Sequence, residues 1–194
     1  MKKYLFTLFA GAALILLQAR TALSIDDLSG LLVPPPGSGP VSLVARLSGF
    51  SEVPALSSPG TGRFTATVSA DRTTIRYTLT YSGTESDVFM AHIHFGQIFA
   101  NGGISIWFCG NPSSPVPPPA GVSVSPCPLS GTLQGTITAA DVIGPAGQGI
   151  SATQFDELVR ALLRGLTYVN VHSLKYIPGE IRGQIVVQRF GLLN

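Results

Sequence analysis

The chain has 194 residues, 45% of them hydrophobic and only 11% charged, with a formal net charge of +2. Three of the twelve basic residues, Lys2, Lys3 and Arg20, precede every acidic one; the remaining nine face ten acidic residues, so the body of the chain carries a net charge near −1. That balance provides no clustered basic face and excludes nucleic acid as an expected partner.

Lys2 and Lys3 stand ahead of an apolar run from Tyr4 to Leu17, followed by Ala22-Leu23-Ser24. This is the layout of a secretory signal peptide over residues 1–24, with cleavage expected after Ser24. The run is shorter than the roughly 20 apolar residues of a spanning helix, and no later segment is long enough to span. The mature chain is therefore expected to be exported and to act in the periplasm or outside the cell. Residues 25–40 read as a lead-in, since Ser29 to Pro40 carries four prolines and neither helical nor strand periodicity. A single domain is expected over 41–188, with a short tail over 189–194.

Within that domain apolar residues recur with period two: Val41, Leu43, Ala45 and Leu47; Phe64, Ala66 and Val68; Ile75, Tyr77, Leu79 and Tyr81. Such alternation predicts half-buried strands. The polar tetrad Ser69-Ala70-Asp71-Arg72 predicts a hairpin turn, so the first strands form a β-meander. Further strands are predicted over 87–95, 103–109, 131–137, 166–172 and 181–188. The expected fold is all-β, a Greek-key β-sandwich or barrel of about eight antiparallel strands with one amphipathic helix. That helix comes from 151–165, where Phe155, Leu158, Val159, Leu162 and Leu163 fall on one face; Ser151 and Gln154 suggest a capping box and Gly165 a C-terminal stop.

Cys109 and Cys127 are the only cysteines. In an exported chain such a pair predicts a disulfide, here closing a Pro- and Ser-rich loop; a redox or metal-binding thiol pair is the alternative.

The three histidines carry the most chemical information. In Ala91-His92-Ile93-His94-Phe95, alternation turns Ala91, Ile93 and Phe95 to the core and puts His92 and His94 together on the opposite face, about 7 Å apart at Cα. In Tyr168-Val169-Asn170-Val171-His172 the same alternation turns Tyr168, Asn170 and His172 away from the core. If these strands pair, three imidazoles converge. Imidazoles suit zinc and copper, and a carboxylate, Glu180 or Glu52, is expected to complete the ligand set, with orienting a ligand as the alternative role for Glu180. The alternative is ordinary hydrogen bonding by polar residues on a solvated sheet face. Pro178 to Ile185 reads as a turn entering the last strand, with Glu180, Arg182 and Gln184 facing outward and Gly183 permitting a bulge or the close approach of another backbone. Glu52 and Arg182 are assigned to a structural polar network. No nucleophile elbow, HExxH, phosphate loop or paired catalytic carboxylates occur, so no catalytic residue is assigned.

Four segments in order, Leu47-Ser48-Gly49-Phe50-Ser51-Glu52-Val53-Pro54, Ala91 to Gly96, Tyr168 to His172 and Gly179 to Ile185, resemble the CHRD domain family. The resemblance covers roughly 41–187. Ala55-Leu56-Ser57-Ser58 departs from the usual sequence after the Glu-Val-Pro motif. The resemblance implies a secreted or envelope-associated β domain, found in bacterial proteins and in chordin, where growth-factor binding is attributed to other modules. A weaker likeness, carried by His92, His94 and Gly96, is to the copper-ligand strand of Cu/Zn superoxide dismutase. That enzyme's bridging histidine and zinc-binding cluster have no counterpart here, so this likeness implies a mononuclear copper or zinc site and no dismutase activity. The function these readings favour is a non-enzymatic binding or structural module outside the cytoplasm, its partner an unidentified protein or envelope component. The alternative is a copper- or zinc-binding periplasmic or secreted protein using His92, His94 and His172.

Overall fold

The period-two runs fold as β-strands, and the one 3.6-period segment folds as a helix. The computed structural model describes residues 38–111 and 114–188. The signal peptide read over 1–24, the lead-in before Ser38 and the tail over 189–194 lie outside the described residues. The order is β1 (Val41–Ser48), β2 (Thr61–Val68), β3 (Ile75–Ser82), β4 (Val88–Phe95), β5 (Gly103–Gly110), β6 (Gly131–Ile137), α1 (Phe155–Leu163), β7 (Thr167–Ser173), β8 (Ile181–Gln184) and β9 (Val186–Val187). The strands join in one antiparallel, nearly closed, barrel-like sheet in the order β5-β4-β7-β8-β1-β2-β3-β6, with β9 pairing β1. The expected meander is β1-β2-β3, and its second turn lies between Val68 and Ile75.

One face of this sheet carries the predicted apolar set. Leu43, Ala45, Leu47, Phe64, Val68, Leu79, Ile93, Val169, Val171 and Ile181 are buried in a single cluster that also takes Phe155, Leu158, Val159, Leu162 and Leu163 from α1. Each Val, Leu, Ile or Phe side chain among them contributes roughly 1.5–3 kcal/mol by leaving water. The helix ends as expected: Gly165 is left-handed (φ 70°), the Gly165 N–H donates to the Leu162 carbonyl and the Leu166 N–H to that of Ala161. Its start differs from the expected capping box. Gln154 Oε1 accepts from the Ser151 N–H at 2.7 Å, but the helix begins only at Phe155 with no side-chain cap. The Gln154 N–H in turn donates to the Ser151 carbonyl, so the two residues close the turn before the helix. Cys109 and Cys127 form the expected disulfide.

Two further differences are informative. The last predicted strand is interrupted at Ile185, whose N–H turns to the Thr167 carbonyl, so that β8 follows β7 while β9 follows β1. Just before the break, a Cβ on Gly183 would lie 2.3 Å from the Arg46 carbonyl oxygen and 2.8 Å from its carbon. This is the close backbone approach read from the sequence. Gly183→Ala is expected to destabilise by about 3 kcal/mol or more, since neither backbone can withdraw. Gly147, whose Cβ would meet nothing within 4 Å, serves as the control for Ala substitution. Chemical denaturation of both variants checks this, and a Gly183→Ala change no larger than that of Gly147→Ala would refute it.

The second difference is that the polar face of β4, β7 and β8 is not solvated. Every residue of β7 is buried, as are His92, His94, Glu180 and Arg182. Alternation holds from Ala91 to Phe95 and along β7, but the opposite face is covered. The β4–β5 connection folds back across it, held by Arg182, while Trp107, Phe89 and Met90 form a second apolar cluster over the histidines.

Candidate metal centre

The register of three strands builds the site. On the β4–β7 ladder Met90 stands opposite His172, His92 opposite Asn170 and His94 opposite Tyr168; on the β4–β5 ladder His92 stands opposite Trp107. Residues directly opposite on paired strands point to the same face. A register shift between Ala91 and His92 leaves Phe108 without a partner on β4. Phe108 and Cys109 can then both enter the main core while Trp107 turns to the histidine face.

His92, His94 and His172 retain 0%, 8% and 4% of their exposure. Their ring centroids lie 5.4 Å (His92–His94), 5.2 Å (His92–His172) and 6.1 Å (His94–His172) apart. One ring nitrogen from each falls within 4.8 Å of the other two. Three nitrogens bound at about 2.0–2.1 Å to one ion stand roughly 3.5 Å apart, so small side-chain shifts close the set.

The orientation of two rings is fixed from behind. His94 Nδ1 is 3.0 Å from the Gly102 carbonyl oxygen and His172 Nδ1 is 2.9 Å from that of Ile177. A carbonyl only accepts, so each Nδ1 carries the proton and each Nε2 presents a lone pair. Both Nε2 atoms are buried without a hydrogen-bond partner, as are both nitrogens of His92. Anchoring one nitrogen to a carbonyl while aiming the other at a shared point is how proteins prepare metal-binding imidazoles. Burial keeps all three neutral. It pulls His94 down to about 3 and His172 to about 4, against the bonds to Gly102 and Ile177, and holds His92 well below its ordinary value, with His172 and His94 adding to the effect.

The carboxylates do not join this group. Glu52 Oε1 accepts from Asn170 Nδ2 at 2.6 Å. Glu180 Oε1 accepts from Ser58 Oγ at 2.6 Å and from the Glu85 N–H at 2.8 Å. Ser58 belongs to the segment that departs from the usual motif. Arg182, 2% exposed, takes partners of its own: the Ala100 carbonyl at 2.7 Å, the Gln97 carbonyl at 3.3 Å and Asn101 Oδ1 at 3.1 Å. Its guanidinium lies 3.4 Å from the centre of the Tyr168 ring. Tyr168 in turn lies parallel to the His94 imidazole, with centroids 4.8 Å apart. The Tyr168 hydroxyl accepts the Gly102 N–H, and Gly102 supplies the carbonyl that anchors His94. Glu52, Asn170, Tyr168 and Arg182 thus form the frame behind the histidines.

The model of the CHRD domain matches residues 43–185. The chain belongs to the CHRD domain family. No curated protein and no solved structure matches it. In this CHRD domain the four segments that carried the resemblance meet on one sheet face. The first supplies Glu52, the second His92 and His94, the third Tyr168, Asn170 and His172, and the fourth Arg182, while Glu180 of that segment is bonded to Ser58 and the Glu85 N–H and Gly183 lies against the Arg46 backbone. Sequence reasoning missed Trp107, Met90 and Phe89. A signal existed for the first, because the chain's one tryptophan sits in a predicted strand at a position alternating with core residues. The anchoring carbonyls of Gly102 and Ile177 leave no such signal, since every residue has one.

Proposed function

We propose that this CHRD domain is a non-enzymatic binding module acting outside the cytoplasm, and that the ligand it is built to take is a transition metal ion, copper or zinc, held by His92, His94 and His172. The observation that carries the reading is the convergence of three buried, neutral imidazoles whose inward nitrogens have no protein partner, two of them oriented by backbone carbonyls. A purely structural role leaves those nitrogens desolvated and unbonded, at roughly 1–3 kcal/mol each. A metal satisfies one nitrogen of each ring at once. The leader read over 1–24 and the disulfide support a location outside the reducing cytoplasm. Among the described residues the group that converges is imidazole alone, with no carboxylate or thiolate in it, which favours holding an ion over turning over a substrate.

Metal content and thermal unfolding of the purified protein, with copper and zinc added in turn, test this beside a His92→Ala/His94→Ala variant. The wild type is expected to retain one equivalent and to gain about 4 kcal/mol at a free metal concentration some thousandfold above Kd. The variant, which leaves the main core untouched and loses one hydrogen bond, that of His94 Nδ1 to the Gly102 carbonyl, gains nothing. Equal shifts in both proteins, or no metal in either, would sink the reading.

A further inference from the structure

Taking the three-histidine centre as the metal site, we infer that its ion is monovalent copper, Cu(I), and that Met90 and Trp107 form the wall that selects it over Zn(II) and Cu(II).

The donor set is the first reason. The group that converges is three neutral imidazoles with no carboxylate or thiolate among them, and Glu52 and Glu180 are held elsewhere. The centre therefore bears the full charge of whatever ion it holds. Desolvation of an ion scales with the square of its charge, so a divalent ion without an anionic ligand is penalised about fourfold more than a monovalent one. The fixed charge of Arg182 adds to that penalty, since only the Tyr168 ring separates its guanidinium from His94.

Coordination number is the second. Zinc sites have four ligands, or three and a water, and Cu(II) adopts tetragonal arrangements of N and O donors. A fourth such donor finds no room here. Trp107 stands nearly perpendicular to His92 with ring centroids 4.0 Å apart, Phe89 packs beside His172 at 6.2 Å, and Ile104 lies opposite His94 on β5. Phe89, Met90 and Trp107 are buried in one apolar cluster, which Ile104, Val122, Val124 and Ile143 flank. Cu(I) is a d10 ion with a single charge that is saturated by three donors and does not require water.

The wall itself is the third. Met90 lies directly opposite His172, so its side chain leaves the sheet on the histidine face, and it packs in the same cluster as Trp107. It brings a thioether to a wall otherwise made of hydrocarbon and indole, and thioethers favour Cu(I) over the harder divalent ions. The indole adds a π-face beside a cation in a dry site. Its own Nε1 is buried without a partner, but as a donor only it cannot ligate.

Trp107 is the chain's one tryptophan, so its fluorescence reports on this wall. The test is anaerobic titration of the purified protein with Cu(I) against a chromophoric Cu(I) chelator, and separately with Zn(II) and Cu(II), for wild type, Met90→Leu and His92→Ala. The expected result is one Cu(I) bound about 100-fold or more tighter than either divalent ion, with quenching of Trp107. Met90→Leu, which conserves volume, should weaken Cu(I) by about tenfold and leave Zn(II) unchanged. Zinc or Cu(II) binding as tight as Cu(I), abolished in His92→Ala, overturns this inference while leaving the metal site standing. An unchanged Cu(I) affinity in Met90→Leu overturns the role of the thioether. Failure of all three ions to bind overturns both readings.

Discussion

In metal-free solution the protein is expected to lose stability steeply as pH falls from about 6.5 towards 4. A histidine whose folded pKa lies below its unfolded value takes up its proton first in the unfolded chain. Between the two values the unfolded state binds more protons, so stability rises with pH and is lost as pH falls. His94 and His172 titrate at about 3 and about 4 in the fold because they are buried, and His92 is likewise well below 6.5. Below about pH 6 each contributes a slope of about 1.4 kcal/mol per pH unit, so the three together approach 4 kcal/mol per unit. Glu52 opposes this: burial raises its carboxyl despite Asn170 and Arg182, so the fold takes up that proton first. It is one group against three. Domains of ordinary stability have roughly 5–15 kcal/mol, so a protein at the lower end of that range unfolds at about pH 5. Denaturant unfolding of chelator-treated protein from pH 7.5 down to pH 4.5 measures the slope. His92→Leu should flatten it by about a third and stabilise the neutral metal-free protein, because two unbonded nitrogens are removed from an apolar setting. A flat profile from pH 7 to pH 5 would show that the histidines reach solvent when they titrate.

The core side of this fold could be read from the sequence because it depends on a local period. Val41, Leu43, Ala45 and Leu47 declare one face of β1 without reference to any other strand, and the stripe from Phe155 to Leu163 does the same for α1. The pairing of His92 and His94 with His172 was only conditional, since nothing in the chain fixes β7 as the neighbour of β4 before the sheet is assembled. The burial of that face was missed for a related reason. Alternating His and Asn look the same whether water or a folded-back loop covers them, and the covering depends on contacts such as Arg182 with Gln97 and Ala100, more than 80 residues apart. The polar roles of Glu52 and Arg182 could be anticipated as a network, whereas their partners, Asn170 for one and the β4–β5 connection for the other, come from the register.

Arg182→Met is expected to destabilise the fold by about 3–5 kcal/mol, in the range found when one member of a buried charged network is removed. The substitution leaves the Gln97 and Ala100 carbonyls and Asn101 Oδ1 without their guanidinium donor, and Glu52 without the cation that offsets its burial. For a domain of this size the corresponding fall in Tm is about 10 °C. Arg182→Lys restores the charge but not the planar fork, and an ammonium cannot serve these acceptors while lying flat on Tyr168, so it should recover only part of the loss. The consequence reaches the histidines through a short chain of contacts. Arg182 holds Tyr168 and the β4–β5 connection, the Tyr168 hydroxyl holds the Gly102 N–H, and the Gly102 carbonyl holds His94. At a temperature where Arg182→Met is still folded, metal affinity should therefore fall by about 10- to 100-fold, as when the outer partner of a ligating histidine is removed. A variant that loses stability but binds metal as the wild type does would confine Arg182 to the fold. One within about 0.5 kcal/mol of wild type would mean that the loop holds itself in place and that the guanidinium only fills space.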